Sequence, residues 1–391
     1  MNPLAGLRVI EFAQVAAGPF AGSLLADLGA DVVKVESPDG GDGMRQWPPL
    51  MEGEDGRAYS GNFASVNRNK RSVTADLKDP AQRRRLQELC AEADVFLENF
   101  RPGVMQRLGL GYEELKARNP RLVYCSITGY GQTGPYAQKG AFDVTVQALS
   151  GLMSVTGEED GPPVKCGVPV GDFVAGLYAA YTILAAVLRA RESGQGAAID
   201  CSMLGSLLGV SALQTSQYFG TGRLPDRMGS AHPRNAPYQG FQASDVPFVV
   251  AAGNDKLWRD LCELVGQPDL SADKRFRTQS LRAENQKQLA AILQPIFATR
   301  PAKDWLAALD GKGVPCAPIN NFEEVLTDQQ VAHMGLVQAV QLPNSATMQT
   351  VGFPIGISGF RFEITRPPPA LGQHNEEVFG EWLSKTALPQ A

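Results

Sequence analysis

The sequence predicts a doubly wound α/β fold. Short apolar runs alternate with longer segments of helical pattern from the start of the chain. Strand–helix–strand order of this kind implies parallel strands joined by right-handed crossovers. Within that alternation Asp79-Pro80 marks a helix start, with Asp as cap and Pro at the first helical position.

The elements follow in order. LRVIEF (Leu7–Phe12) reads as a buried strand, and Ala17–Ala30 as a helix whose small residues allow close packing. DVVKVE (Asp31–Glu36) is the next strand and completes a βαβ unit. Lys70–Leu77 is strand-like, and the helix opened by Asp79-Pro80 runs to Ala93. The strand Asp94–Phe100, a helix near Tyr112–Arg118 and the strand Arg121–Thr128 extend the pattern. This is a Rossmann-like arrangement, which binds ligands at the carboxyl ends of its strands. Phe173–Gly196 reads as one long apolar helix, and Tyr218–Gly240, rich in Gly, Pro, Arg and Asn, as a linker or active-site loop. A smaller α/β region follows. It has a strand at Phe248–Gly253, helices beginning near Asp255, Arg282 and Ala302, and a strand at Val314–Ile319. Beyond Gln341 the chain is rich in strands and turns. The expected division is a large domain at 1–218, a small domain with its linker at 219–335, and a segment at 336–391 that returns to the large domain.

Composition narrows the function. The 391 residues are 43% hydrophobic and 20% charged, an ordinary soluble balance. The net charge of −5 argues against nonspecific nucleic-acid binding. MNPLAGLRVIEF has no signal-peptide pattern, and the most apolar run, Phe173–Leu188, is broken by Gly176, Tyr178, Tyr181 and Thr182. A cytoplasmic protein acting away from membranes is expected. The six cysteines are scattered without a CxxC pair, and His232, His333 and His374 lie far apart, so neither a disulfide framework nor a metal site is expected.

Gly129-Tyr130-Gly131-Gln132-Thr133-Gly134 matches the dinucleotide fingerprint GxGxxG. Its context is wrong: Pro135 follows where a helix should open, and the motif trails a late strand. A Gly-rich turn is the better reading. No GxSxG, HExxH or GxxxxGK[ST] motif is present. What remains is carboxylate chemistry with cationic anchors. Lys70, Arg71, Lys78, Arg101, Arg107 and Lys139 fall near strand ends or in their connections, where a phosphorylated ligand would need cations. Asp172 stands between the turn GVPVGD and the long apolar helix. There a carboxylate is either an N-cap or a nucleophile.

Seven segments in order resemble the class III CoA-transferases, a family that includes formyl-CoA, carnitine and dicarboxylate CoA-transferases. They are AGPFAGSLLADLGADVVKVE, NRNKRSVTADLK, VFLENFRPG, YCSITGYGQTGP, FDVTVQALSGLM, VGDFVAGLYA and GVPCAPINN. YCSITGYGQTGP, GVPCAPINN and RPPPALGQH resemble the branch acting on succinyl-CoA and glutarate-type dicarboxylates. The resemblance implies an interlocked homodimer and an acyl-CoA:carboxylate CoA-transferase with no permanently bound cofactor and no metal. Coenzyme A enters as acyl-CoA substrate, and the large domain binds it. Asp172 takes the place of the family's catalytic aspartate. In the family that carboxylate attacks an acyl-CoA thioester, giving a mixed anhydride and then an aspartyl-CoA thioester.

Other positions carry over singly. Gln14, Val15, Ala16 and Ala17 resemble the contact with CoA and the reacting carbonyl, although some members have His at the position of Gln14. Ala75 to Lys78 resembles the adenine-side segment. Asn99, Phe100 and Arg101 resemble a CoA-contacting turn, Arg107 a phosphate anchor, and Lys139 to Phe142 the segment near the pantetheine. Ser37 stands where the family often has an Arg. The loop Gly229–Asn235 resembles one that covers the site, with His232 or Arg234 as candidate contacts to a diacid's distal carboxylate or as ordinary surface residues. Related 2-methylacyl-CoA racemases need a His before the aspartate matching Asp143. Here that residue is Phe142, which cannot carry a proton. An isomerase and a noncatalytic CoA-binding protein are therefore the alternatives to the transferase, and Asp143 is expected to orient neighbours or cap a helix.

Overall fold

The computed structural model describes residues 2–54 and 56–383. The chain divides into two compact units. One comprises Met1–Leu152, Lys165–Arg223 and Gln330–Ala391, and the other Met153–Val164 and Leu224–Gln329.

The first unit is built on six parallel strands. They are β1 (Arg8–Phe12), β2 (Asp31–Glu36), β3 (Arg71–Thr74), β4 (Val95–Glu98), β5 (Val123–Thr128) and β6 (Ala197–Ser202). Their order across the sheet is β3-β2-β1-β4-β5-β6, the doubly wound order of the Rossmann fold. Alternate residues of each strand enter opposite faces, as the pleat requires. Val9, Val32, Val95 and Val123 join one core. Ile10, Val33, Phe96 and Tyr124 join the other. The first face is covered by helices α1 (Ala17–Asp27) and α3 (Val170–Ser193). A short helix, α2 (Asp143–Leu149), precedes α3.

Two expectations need correction here. The sixth strand, Ala197–Ser202, was not expected. The segment 218–240 is also not wholly a loop: a helix spans Ala212–Thr221 and a strand begins at Tyr238. The long helix is 24 residues, and an 18-residue window of it has mean hydropathy 1.6. By length and composition it could cross a membrane, which the broken run Phe173–Leu188 had hidden. In the protein its Ala175, Gly176, Ala179, Ile183 and Val187 are buried.

The tail contributes a hairpin, Val337–Gln341 with Thr347–Val351, and a final helix, Asn375–Leu383. Arg71 fastens that helix. Its guanidinium is buried and reaches Asp31, Glu377 at 3.0 Å and Glu381 at 2.8 Å, while Trp382 Nε1 donates to Asp31 Oδ2 at 3.1 Å. Arg71→Ala should cost about 2 kcal/mol, less than rupture of a fully buried pair, because its carboxylate partners keep solvent. A lower urea midpoint at unchanged m-value is the measurement.

The second unit holds an antiparallel sheet in the order Cys316–Pro318, Pro247–Ala251, Tyr238–Gln242. Helices Asp255–Leu264, Gln286–Phe297 and Ala302–Gly311 supply its core, around Trp258, Phe276, Phe297 and Trp305.

Candidate active site

In the order β3-β2-β1-β4-β5-β6 the connections leave β1 and β4 in opposite directions. Ligands of such sheets bind past the carboxyl ends of those two strands. A cavity of about 230 Å³ lies there. Gln14, Val15, Ala16 and Ala17 line it from the end of β1, and Asn99 and Phe100 from the end of β4. Ile127 and Thr128 end β5 and Gly129 follows it, and Ala141, Phe142, Asp143, Asp172 and Met203 complete the wall.

The turn after β1 is held by side chains from elsewhere. Gln14 N–H donates to Asn99 Oδ1, and Asn99 Nδ2 donates to Gln14 O, both at 2.8 Å. Val15 N–H reaches both oxygens of Asp42 at 3.1 Å, and Lys34 Nζ donates to Ala13 O at 2.5 Å. Val15 sits at φ 64°, a left-handed conformation that costs a β-branched residue energy. Ala16 then opens α1 without a side-chain cap. The N–H groups of Ala17 and Gly18, without a partner among the described residues, favour negative charge nearby.

Asp172 comes from α3. It is the third residue of that helix and not its cap; Pro169 holds the cap position and makes no side-chain bond. Of the two roles open to this carboxylate, the N-cap is not taken. The acceptor arrives from α2 instead: Asp143 Oδ1 accepts from Gly171 N–H at 2.8 Å, and Oδ2 accepts from the Gln147 amide at 2.6 Å. A Cβ on Gly171 would lie 2.9 Å from Asp143 Oδ1, so the glycine admits this contact. Asp143 thus orients the helix start. Asp172 is left with no hydrogen-bond partner among the described residues. Burial, and next the nearby Asp143 charge, push its carboxyl up to about 6.

A close helix crossing brings Asp172 to the turn. One turn along α3, a Cβ on Gly176 would lie 2.9 Å from Ala17 O and 2.9 Å from Phe20. Phe173 packs on Phe20 with ring centroids 4.8 Å apart.

The remaining predicted positions lie outside the cavity. Ala75 is buried, while Lys78, Arg101, Arg107 and Lys139 are exposed and form no ion pair among the described residues. A Cβ on Gly140 would lie 3.2 Å from the Arg101 guanidinium, which brings the 139–142 segment beside Arg101. Lys139 lies over the Tyr136 ring at 5.0 Å. Lys70 and Arg71, read as ligand anchors, are instead buried in ion pairs inside the fold. His232 and Arg234 belong to the second unit. His232 Nδ1 accepts from the Arg234 and Asn235 N–H groups, each at 3.1 Å, and so shapes its own loop. Sequence reasoning missed Ile127, Thr128, Gly129 and Met203 as lining residues. Ile127 and Thr128 end a strand that was recognised, and Gly129 follows it. Met203 follows the strand that was not.

The chain matches CoA-transferase family III over residues 4–375. It is 41% identical over 391 residues to the succinate–glutarate CoA-transferase of Agrobacterium fabrum, covering 99% of this chain and 98% of that one. It is 40% identical to the mouse succinyl-CoA:glutarate CoA-transferase, covering 98% and 87%. Among solved structures, a CAIB/BAIF family protein from Brucella suis superposes with TM-score 0.86 at 40% identity, covering 97% and 99%. With the parallel sheet, the crevice past β1 and β4, and the aspartate at the head of α3, these likenesses agree: the chain belongs to CoA-transferase family III.

Proposed function

We propose that the protein moves CoA from succinyl-CoA to a short dicarboxylate, glutarate first among them, through covalent intermediates on Asp172. One observation carries this reading: Asp172 is a carboxylate in the switch-point cavity with a raised pKa and no donor holding its oxygens. A carboxylate poorly solvated and unpaired is a better nucleophile than one in water.

The steps balance. Asp172 attacks the thioester carbonyl and expels CoA thiolate, leaving an aspartyl–succinyl anhydride. The thiolate attacks the aspartyl carbonyl, releasing succinate and leaving an aspartyl-CoA thioester. The acceptor carboxylate attacks that thioester, re-forming an anhydride and a thiolate. The thiolate then takes the acceptor's acyl group and frees Asp172. Thioester and anhydride are both activated, so no step is far downhill, and water must be kept out. The uncapped start of α1 favours the negative charge that develops beside it.

In this reading Gln14, Val15, Ala16 and Ala17 meet the pantetheine end and the reacting carbonyl. Asn99 and Phe100 hold the neighbouring turn. Lys78, Arg101, Arg107 and Lys139, all exposed and unpaired, meet the phosphates and adenine side, with Ala75 beneath. Arg234 is the candidate for the distal carboxylate, since His232 Nδ1 is already engaged. The protein acts as a homodimer, for which exposed Leu177, Tyr181, Leu188, Leu213 and Phe219 offer an apolar surface. Phe142 and the occupied oxygens of Asp143 speak against a racemase, which needs a proton carrier there.

The test is incubation with succinyl-CoA and a panel of carboxylic acids, with new thioesters identified by mass spectrometry. Glutaryl-CoA is expected. In a single turnover hydroxylamine should trap a hydroxamate on Asp172. Absence of any covalent adduct would overturn the mechanism, and α-deuterium exchange without an acceptor acid would favour an isomerase.

A further inference from the structure

We infer that the buried Lys34–Asp42 ion pair, with Asn99, is a positioning device that holds the Ala13–Val15 turn in its strained form and so sets Gln14 and the start of α1 beside Asp172. The inference rests on the CoA-transfer reading and adds residues to it. Neither Lys34 nor Asp42 lines the cavity.

Ala13 O, Gln14 N–H, Gln14 O and Val15 N–H are four consecutive polar groups, and each is bound by a side chain from another part of the fold. Lys34 comes from β2, Asp42 from the segment after it, and Asn99 from the end of β4. Lys34 Nζ and Asp42 Oδ2 are themselves 3.0 Å apart, and both side chains are fully buried. One ion pair therefore grips the carbonyl before Gln14 and the N–H after it.

A simpler role exists for Asp42, as cap of the short helix Gly43–Gln46, where its Oδ1 accepts from Met44 N–H at 3.0 Å. That role needs one oxygen and does not involve Val15. Here both oxygens reach Val15 N–H, and Val15 is one of three non-glycine residues with positive φ among those described. A valine released from this contact prefers right-handed or extended backbone by roughly five- to thirtyfold. A glycine has no such preference. The clamp and the strain thus predict an interaction between two positions that differs from simple loss of stability.

Asp42→Asn keeps the size of the side chain but turns an N–H₂ group toward Lys34 or toward Val15 N–H. Under conditions where the variant is folded, kcat for CoA transfer should fall about tenfold, with KM for succinyl-CoA changed less than about threefold. Adding Val15→Gly to Asp42→Asn should recover most of that loss. Asp42→Glu retains the charge beside Lys34 but displaces the carboxylate by one methylene, and it carries the same expectations should Asp42→Asn not fold. Hydrogen exchange of the Val15 amide, resolved by NMR, reads the clamp without turnover: it should be slow in the parent and at least tenfold faster in either Asp42 variant. A folded Asp42 variant with parental kcat, a double variant whose losses simply multiply, or unchanged exchange would each overturn the inference. A parent protein that transfers CoA to no acid would instead sink the transfer reading, and the exchange rates would still decide whether the clamp exists.

Discussion

Asp172→Asn is expected to abolish CoA transfer and to make the protein more stable at neutral pH. An amide cannot form the anhydride, so kcat should fall by a factor on the order of 10⁴ or more. The stability gain follows from the raised pKa. Burial, with Asp143 as a lesser cause, lifts the Asp172 carboxyl from 3.8 to about 6. The folded state therefore prefers the protonated form. Its stabilising effect is fully present below the unfolded pKa near 3.8 and is lost as pH rises through about 6. At pH 8 the parent carries the cost of a charged, half-buried carboxylate, up to about 3 kcal/mol for a shift of this size. Asparagine removes the charge and breaks no hydrogen bond. Denaturant unfolding at pH 8 should show the variant more stable, with the two proteins converging below about pH 4. In the parent, kcat/KM should rise with pH through about 6 as the nucleophile ionises. A variant that turns over at the parental rate would remove Asp172 from the mechanism.

Gly176→Ala is the second change of large effect, although it adds one methyl group. That methyl would meet Ala17 O and a Phe20 ring carbon, each at 2.9 Å. Ala17 O is backbone, so α1 and α3 must move apart. Overpacking of this kind costs about 1–3 kcal/mol. The same seam fixes Asp172 relative to the Gln14–Ala17 turn. A displacement of about 1 Å at a reacting centre can cost about a hundredfold in rate. The expected result is a modest fall in the unfolding midpoint and a disproportionate fall in kcat. Equal proportional losses of folded protein and activity would show that the seam sets stability alone.

The difference between these two residues also describes what was readable in the sequence. Asp172, Gln14–Ala17 and Asn99–Phe100 are assigned to one site through the resemblance to class III CoA-transferases; the pattern alone makes legible only the elements that carry them. β1, β4 and the long helix announce themselves, and a doubly wound sheet gathers such ends. The sixth strand did not announce itself. Ala197-Ala198-Ile199-Asp200 contains residues of poor strand propensity, and it lies at the sheet edge, where pairing on one side suffices. The start of α3 was misjudged for another reason. The acceptor that satisfies Gly171 N–H lies 28 residues away on Asp143, so no local cap residue marks the boundary. Lys70 and Arg71 looked like ligand anchors because their partners, Glu11 and Asp31, are remote in sequence. Cation positions were legible, whereas which cations stay unpaired was not.

The cluster of Glu11, Lys34, Asp42 and Lys70 has a consequence for how this sequence can change. Lys34 pairs with Glu11 and Asp42, Lys70 pairs with Glu11, and none of the four side chains touches solvent. Losing any one strands a buried charge, at a cost of about 3–5 kcal/mol. Replacing several together with apolar groups removes that penalty. The four sites therefore form one mutational unit, within which a single step that removes a charge is costly and a joint step is less so. Gly22 belongs to it too, since a Cβ there would fall 1.9 Å from Glu11 Oε2. A library that randomises these positions one by one should yield mostly destabilised chains, while a library that randomises them together should recover more that fold.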